Sequence, residues 1–142
     1  MGLGVAGASD LTLAEAGLTV GEAAAHVGLS VHTLRWYEQE GLVSPVDRDT
    51  AGRRRYRADD LDWLRLLICL RGTGMPVRDM RRYAELVRAG SSTVDERLRL
   101  FEEHRDRVLA RITELHRYLD AINFKIGIYR NLEPADEVTA AG

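Results

Sequence analysis

A long apolar repeat in the carboxyl-terminal part of the chain limits the folds open to it more than any other feature. Large apolar side chains recur there at alternating intervals of three and four residues, the heptad pattern of a helix that packs along one face. The pattern is interrupted only at Arg105. Its members, which we call the seam, are Leu98, Phe101, Val108, Ile112, Leu115, Leu119, Ile122, Ile126 and Tyr129.

The length of this repeat bears on the oligomeric state. A helix of about 35 residues would be roughly 50 Å long. One small domain cannot bury so long a seam, so we predict that the helix pairs with its counterpart in a second copy as a coiled coil, which makes the protein a homodimer. A helix that folds back onto its own domain is the alternative.

Two short helices joined by a tight turn are predicted upstream of the repeat. The tetrapeptide TVGE at 19–22 has the S/T-x-x-E form of a capping box, so a helix should begin at Val20. Ser30 can cap a second helix, which Gly41 would end in the left-handed conformation. Two helices so joined form a helix-turn-helix, whose second helix enters the major groove of DNA.

The second helix has an inner and an outer side. At about 100° per residue, the inner side is formed by Val31, Leu34, Glu38 and Leu42. The outer side carries two aromatic and two polar side chains, a composition that suits contact with another surface. These outer residues are His32, Thr33, Trp36 and Tyr37.

The net charge of −2 argues against nucleic acid as a partner, but the distribution of charge reverses that conclusion. Between residues 48 and 57 five arginines are set against a single acid, Asp49. Screening limits the reach of distant charges to about 10 Å, so a local basic patch is sufficient to hold phosphates. The arginines are Arg48, Arg53, Arg54, Arg55 and Arg57.

This basic patch lies on a predicted hairpin, or wing. Residues 47–52 are rich in turn formers and separate strand candidates near 46–48 and 54–56. Arginines on a wing beside a groove-reading helix would hold the phosphate backbone, and Tyr56 would pack beneath them or donate its hydroxyl.

Two further helices are predicted before the repeat, at about 58–71 and, after Pro76, at about 77–89. The inward stripe of the former is Leu61, Leu64, Leu67 and Ile68. The predicted fold is therefore mainly α, with a winged helix-turn-helix DNA-binding domain at 18–90 and a dimerisation helix at 91–130. Residues 1–17 and 131–142 are expected to be disordered.

Composition excludes several kinds of site. No apolar run approaches the roughly 20 residues that span a bilayer, and no cleavable leader is evident, so we expect a cytoplasmic protein. A single cysteine leaves no internal disulfide and no Cys-rich metal site. His104 and His116 lie too far apart on the long helix for one metal site, and we expect both to be solvated. No metal or cofactor is predicted.

Three consecutive features together resemble the MerR family of transcription regulators: TVGEAAAHVGLSVHTLRWYEQEGLVSP, then GRRRYRADDLDWLRLLICLRGTGMPVRDM, then the heptad helix. The resemblance covers Leu18 to about Glu133, and R-x-Y-E-x-x-G-L at 35–42 is its most specific element. It implies dimers, paired by an antiparallel coiled coil, that bind a near-palindromic operator within promoters whose spacer is over-long. The bound DNA would be distorted, at a cost of several kcal/mol, so that RNA polymerase engages both promoter elements, and an effector would switch the distortion.

The resemblance also assigns roles to residues of the second helix. His32 and Thr33 would contact base edges, and Arg35, Trp36 and Tyr37 would contact phosphate and sugar. Trp36 stands where the family usually has tyrosine, which removes a hydroxyl from that contact.

On the wing, Arg54 matches the family's best-marked position. Arg53 and Arg55 are either defined contacts or solvated positive charge. Arg35 lies close to the inner side of its helix, so an ion pair with Glu38 is the alternative to a phosphate contact.

Cys69 is the one side chain with obvious reactive chemistry. The sequence ICLRGTGMP around it is similar to a subgroup of the family that responds to aldehydes and other electrophiles, which implies a small electrophile as effector. Arg65, one turn back, would favour the reactive thiolate, whereas apolar neighbours and a helix carboxyl end would disfavour it. An inert core thiol is the alternative.

Other classes of function are weaker. The G-x-G at 72–74 has Val77 where a third glycine belongs, so we do not expect an enzyme. Two alternatives stay open, namely an architectural DNA-binding protein with no effector and a regulator with a non-covalent ligand.

Overall fold

The computed structural model of the protein describes residues 17–43, 51 and 55–132, in two compact units, residues 1–101 and 102–142. A short 3-10 turn at Ser91–Thr93 precedes the last helix, which begins in the first unit and continues into the second. The predicted helix-turn-helix followed by one long helix is confirmed. The helices are α1 (Val20–Val27), α2 (Val31–Gln39), α3 (Ala58–Gly72), α4 (Val77–Ala89) and α5 (Val94–Arg130).

Side-chain caps fix where α1 and α2 begin. The Thr19 hydroxyl accepts a hydrogen bond from the Glu22 amide at 3.2 Å, and the Glu22 carboxylate accepts one from the Thr19 amide at 3.0 Å. Ser30 accepts from the Thr33 amide at 3.0 Å. The left-handed conformation predicted for Gly41 is present, with φ at 75°, just after α2 ends. Local sequence therefore determines both helix starts, as predicted.

The first unit has a closely packed apolar core. Its helices α1 and α2 turn small and apolar residues inward, and α3 and α4 complete the enclosure. Ile68, a member of the predicted inward stripe of α3, is only partly buried, whereas Leu70, which the prediction left out, is 4% exposed. The largest fully buried side chains of this core are Tyr56, Leu34, Leu42, Leu61, Leu64, Leu67, Met75 and Met80.

The predicted wing falls largely outside the described residues, because 46–48 and 54 belong to the parts of the chain that the structure does not describe. In the parts that it does describe, no strand forms. Tyr56 instead makes an isolated antiparallel bridge with Leu18, in which each amide donates to the other's carbonyl at 2.7 Å. Of the segments predicted to be disordered, 1–17 and 131–142, residues 1–16 and 133–142 lie outside the described residues.

The second unit consists, in its described part, of the remainder of α5 and the two residues that follow it. Most of its large apolar side chains are exposed, among them Leu109 and Phe124 in addition to members of the seam. His104 is only 7% exposed, so the prediction that it is solvated is wrong. Its position three residues after Phe101 and four before Val108 places it on the seam, where Arg105 would otherwise fall. No helix in the described ranges is long and apolar enough to cross a membrane.

Candidate nucleic-acid interface

The amino-terminal turn of α2 carries the hydroxyl of Thr33, on a backbone that the Ser30 cap holds in place. Ser30 caps the helix, and its hydroxyl also donates to the Thr33 hydroxyl oxygen at 2.9 Å. Thr33 accepts that bond, which leaves its own hydroxyl hydrogen for an acceptor outside the helix. The predicted base-edge residue Thr33 is thus held by its cap in one orientation.

One side of α2 is exposed along its whole length. His32, Arg35 and Gln39 are all exposed, and their spacing of three and four residues places them in one row. Sequence reasoning identified the first two and missed Gln39. The same spacing rule, extended by one turn, would have found it.

Tyr37 does not belong to this exposed row, so its predicted outward orientation is wrong. Its side chain is only 4% exposed, because Tyr37 follows Leu34 by three residues and therefore shares the inward stripe of α2. Burial raises the pKa of the Tyr37 hydroxyl, and the nearby Arg71 guanidinium opposes that rise. Trp36 is partly buried and lies with its ring 5.5 Å from that of Tyr37.

Tyr56, a second candidate for DNA contact, is also buried. No part of its side chain is exposed, and its hydroxyl donates to the carboxylate of Glu38 on α2. The hydrogen bond joins residues 18 positions apart. Tyr56 therefore supports α2 from beneath, through a hydrogen bond to the Glu38 carboxylate.

Arg55 is the member of the predicted wing trio that the structure describes, whereas Arg53 and Arg54 lie outside the described residues. Arg55 is partly buried, and its Nη1 donates to the carbonyl of Gly17 at 3.3 Å. Gly17 has φ at 80°, and a Cβ there would lie 2.8 Å from the Cβ of Arg55, so only glycine fits. Arg55 is thus a defined contact to the chain itself.

Cys69 lies on α3 and is partly buried. Its carbonyl accepts from the Thr73 amide at 3.0 Å and from the Thr73 hydroxyl at 2.8 Å. Helical spacing places it on the same side as Asp62 and Arg65, which form an ion pair of 3.4 Å, and away from the buried leucines of α3. The thiol is therefore neither deeply buried nor fully exposed.

The predicted dimerisation residues differ in exposure. Phe101 packs within the first unit, where its ring lies 4.6 Å from that of Tyr83. Val108 is partly buried, and the other seam residues keep between 40% and 56% of their surface exposed. These exposed members are Leu98, Ile112, Leu115, Leu119, Ile122, Ile126 and Tyr129. Among the described residues, no group of three or more His, Cys, Asp or Glu side chains is arranged to hold a metal ion.

Comparison with known proteins gives the same family for the helix-turn-helix part of the chain and for the part that includes most of α5. A model of MerR HTH family regulatory proteins matches residues 18–86, and a model of MerR DNA-binding segments matches residues 61–123. An uncharacterised HTH-type transcriptional regulator of Haemophilus influenzae is 43% identical over 122 residues, which span 86% of this chain and 90% of that protein.

Two solved structures are similar to this one over most of its length. HiNmlR, a MerR family regulator that lacks the sensor domain and was solved bound to promoter DNA, is 45% identical with a TM-score of 0.75. The match covers 80% of this chain and 90% of HiNmlR. A MerR family transcriptional regulator from Listeria monocytogenes is 33% identical with a TM-score of 0.79, over 86% of this chain and 93% of that one.

Proposed function

Because this chain belongs to the MerR family of helix-turn-helix regulatory proteins and is a DNA-binding transcriptional regulator, we propose that it acts as a homodimer on a near-palindromic operator in the cytoplasm. The proposal extends to the mechanism: the dimer distorts the spacer DNA of a promoter so that RNA polymerase can use it. The observation that carries the proposal is the row of exposed polar side chains on α2, namely His32, Arg35 and Gln39.

Residues of α2 divide the work of recognition in this proposal. His32 and Thr33, at the amino end, contact base edges in the major groove, and Arg35 and Trp36 contact phosphate and sugar. Tyr37 is only 4% exposed, so it is given no DNA contact in this proposal. Arg53 and Arg54 on the predicted wing add phosphate contacts.

The exposed seam supports the dimer. The helix α5 has 37 residues, and its apolar side chains at 112, 115, 119, 122 and 126 are about half exposed. Burying the exposed half of each against a partner gains about 1 kcal/mol per side chain, so two copies gain on the order of 10 kcal/mol before the entropy cost of association. Pairing of residues 91–130 in two antiparallel copies would place two helix-turn-helix units, each within residues 18–90, on successive half-sites.

Binding measurements on an operator duplex test the DNA contacts. The duplex is selected from a random-sequence pool with the wild-type protein. Thr33→Ala should relax the preference at one base pair per half-site. The free-energy difference between the preferred base and the other bases at that position should fall by about 1–3 kcal/mol. Arg54→Ala should weaken binding to all sequences and reduce the salt dependence of binding by about one charge per half-site.

Arg117→Ala, on the exposed side of α5 in the second unit, is the control and should change neither quantity. A salt dependence that Arg54→Ala leaves unchanged would exclude the wing from the phosphates. A wild-type protein that selects no sequence from the pool would contradict the proposed function itself.

We further propose that Cys69 senses small electrophiles. Partial exposure of Cys69, on the side of α3 away from the buried leucines, supports this role because a small molecule can reach the residue there. With an aldehyde, the sulfur would bond to the carbonyl carbon and the proton would move to the carbonyl oxygen. With a quinone, the sulfur would add to a ring carbon and leave the reduced ring attached as a thioether.

Intact mass after exposure to a quinone, together with transcription from the promoter upstream of the protein's own gene, tests this role. The wild type should gain one adduct and change its transcript yield, while Cys69→Ser should gain none and keep its basal yield. Induction that persists in Cys69→Ser would contradict the thiol sensor. It would favour a non-covalent ligand, and a promoter that responds to no small molecule would favour an architectural protein.

A further inference from the structure

We propose that Trp63, Arg81 and Arg88 are positioning residues for DNA recognition, because they fix the carboxyl end of α2 without lying on its exposed row. This inference rests on the proposed use of α2 as the base-reading helix. It concerns three side chains that belong to α3 and α4, far from α2 in sequence.

Three consecutive residues after α2 each receive a hydrogen bond from one of these side chains. The indole Nε1 of Trp63 donates to the carbonyl of Leu42 at 2.7 Å. Arg88 donates from Nη2 to the carbonyl of Gly41. Arg81 donates from Nε to the Glu40 carboxylate at 3.1 Å and forms an ion pair with it through Nη2.

The charge at this end of α2 explains why arginine serves there. The last carbonyls of a helix carry partial negative charge, and an acid in the same place is unfavourable. Glu40 adds a full negative charge at this place. Arg81 neutralises that charge, and Arg88 satisfies a carbonyl beside it with a charge-assisted bond.

Trp63 is itself held in place by a column of aromatic rings within the first unit. The ring of Tyr83 on α4 lies 5.4 Å from that of Trp63 and is nearly parallel to it, at 15°. Tyr83 in turn lies 4.6 Å from Phe101, in the second turn of α5 that belongs to this unit. Such a column leaves the indole little freedom to rotate, so its N–H stays directed at the carbonyl of Leu42.

Small errors at this end of α2 matter for recognition at the other end. A helix of nine residues is roughly 13 Å long, so a tilt of about 5° moves its far end by about 1 Å. Hydrogen bonds to base edges lengthen past their useful range with a displacement of that size. Loss of the clamp formed by Trp63, Arg81 and Arg88 should therefore reduce discrimination between sequences more than it reduces binding to any DNA.

Without the structure, Arg81 and Arg88 would be counted as phosphate contacts on a basic helix. The structure offers a matched comparison on the same helix, since Arg78 is 84% exposed and pairs only loosely, at 3.9 Å, with its neighbour Asp79. Arg81→Gln and Arg78→Gln remove the same charge, and only the former removes a bond to α2.

Amide hydrogen exchange on the unbound protein is the first test. The amides of Glu40, Gly41 and Leu42 donate to carbonyls of α2 at 2.9–3.1 Å. Their exchange should accelerate about three- to tenfold in Arg81→Gln and in Trp63→Phe, a variant that keeps the aromatic column and loses the donor. Unchanged exchange in both variants would overturn the proposal whether or not the wild type binds any operator.

Binding of the selected operator and of unrelated duplex DNA, each over a range of salt, is the second test. Trp63→Phe and Arg81→Gln should lose about three- to tenfold in affinity for the operator, with affinity for unrelated DNA within twofold and the salt dependence unchanged. Adding Glu40→Gln to Arg81→Gln should cost nothing further. A reduced salt dependence and an equal loss on both duplexes would make Arg81 a phosphate contact and overturn its positioning role.

Discussion

The two units of this chain differ in how far they bury their large apolar side chains. In the first unit Leu34, Leu61 and Leu64 have no exposed surface. In the second unit Ile112 and Leu119 keep 46% and 50% of theirs exposed. The first unit therefore completes its own core, whereas the long helix carries an exposed apolar surface. In the proposed dimer each copy would fold its own DNA-reading part, and the paired helices would set the spacing between the two parts.

The largest expected effect is at the seam. Ile112→Asp would place a charge in the proposed coiled-coil interface of both copies. The dimer should lose about 1 kcal/mol of apolar burial from each copy, and each buried carboxylate should cost several kcal/mol more. Sedimentation should then show a monomer. Ala110→Asp, an exposed position on the opposite side of α5, is the control and should remain a dimer. A dimeric Ile112→Asp variant would contradict the proposal that the seam of the second unit forms the dimer interface.

A smaller effect is expected in the first unit. Leu34→Ala should lower the free energy of unfolding by about 2–5 kcal/mol, because it leaves a cavity in a completed core. Urea unfolding at several protein concentrations measures it. Leu119→Ala is the matched change in the second unit. The stability that this variant loses in urea should depend on protein concentration, whereas the loss caused by Leu34→Ala should not. Equal concentration dependence for the two variants would contradict the proposal that Leu34 is buried within one copy and Leu119 between two copies.

The smallest effect is a dependence on pH confined to the first unit. A hydrogen bond from the Thr19 backbone amide, helped by the Thr19 side chain, lowers the pKa of Glu22 below its ordinary value of 4.5. The charged carboxylate therefore stabilises the fold above pH 4.5, and this contribution is lost as the pH falls through the lower folded pKa. Glu22→Gln should flatten the acid limb of a plot of stability against pH and leave dimerisation unchanged. An identical acid limb in the variant would show that the capping box does not titrate.

Features that depend on neighbouring residues could be predicted from the sequence. The capping box at Thr19, the cap at Ser30 and the start of α4 at Val77 follow from side chains within three residues of each helix end. The heptad spacing likewise predicted a continuous α5 from Val94. Each of these rests on contacts so short in sequence that tertiary packing has little influence on them.

Features that depend on the whole core could not be predicted. The helical wheel of α2 cannot show how wide the buried arc is, so Tyr37 was placed outside and is inside. Tyr56 reaches Glu38 across 18 residues, and Arg81 and Arg88 reach the end of α2 across 41 and 47. Nothing in the local pattern of α4 distinguishes these two arginines from Arg78, because the difference lies in what α4 packs against.

The bridge between Leu18 and Tyr56 makes the intervening chain a closed loop, stitched at its base by two backbone hydrogen bonds and by the close approach of Arg55 to Gly17. If α2 reads the operator as proposed, this loop could be exchanged between related regulators as one cassette. A graft of residues 18–56 would transfer His32, Thr33 and Arg35 with their caps. It would leave behind the donors on α3 and α4, so a cassette moved into a relative without an equivalent of Trp63 should read its operator less faithfully than it does here.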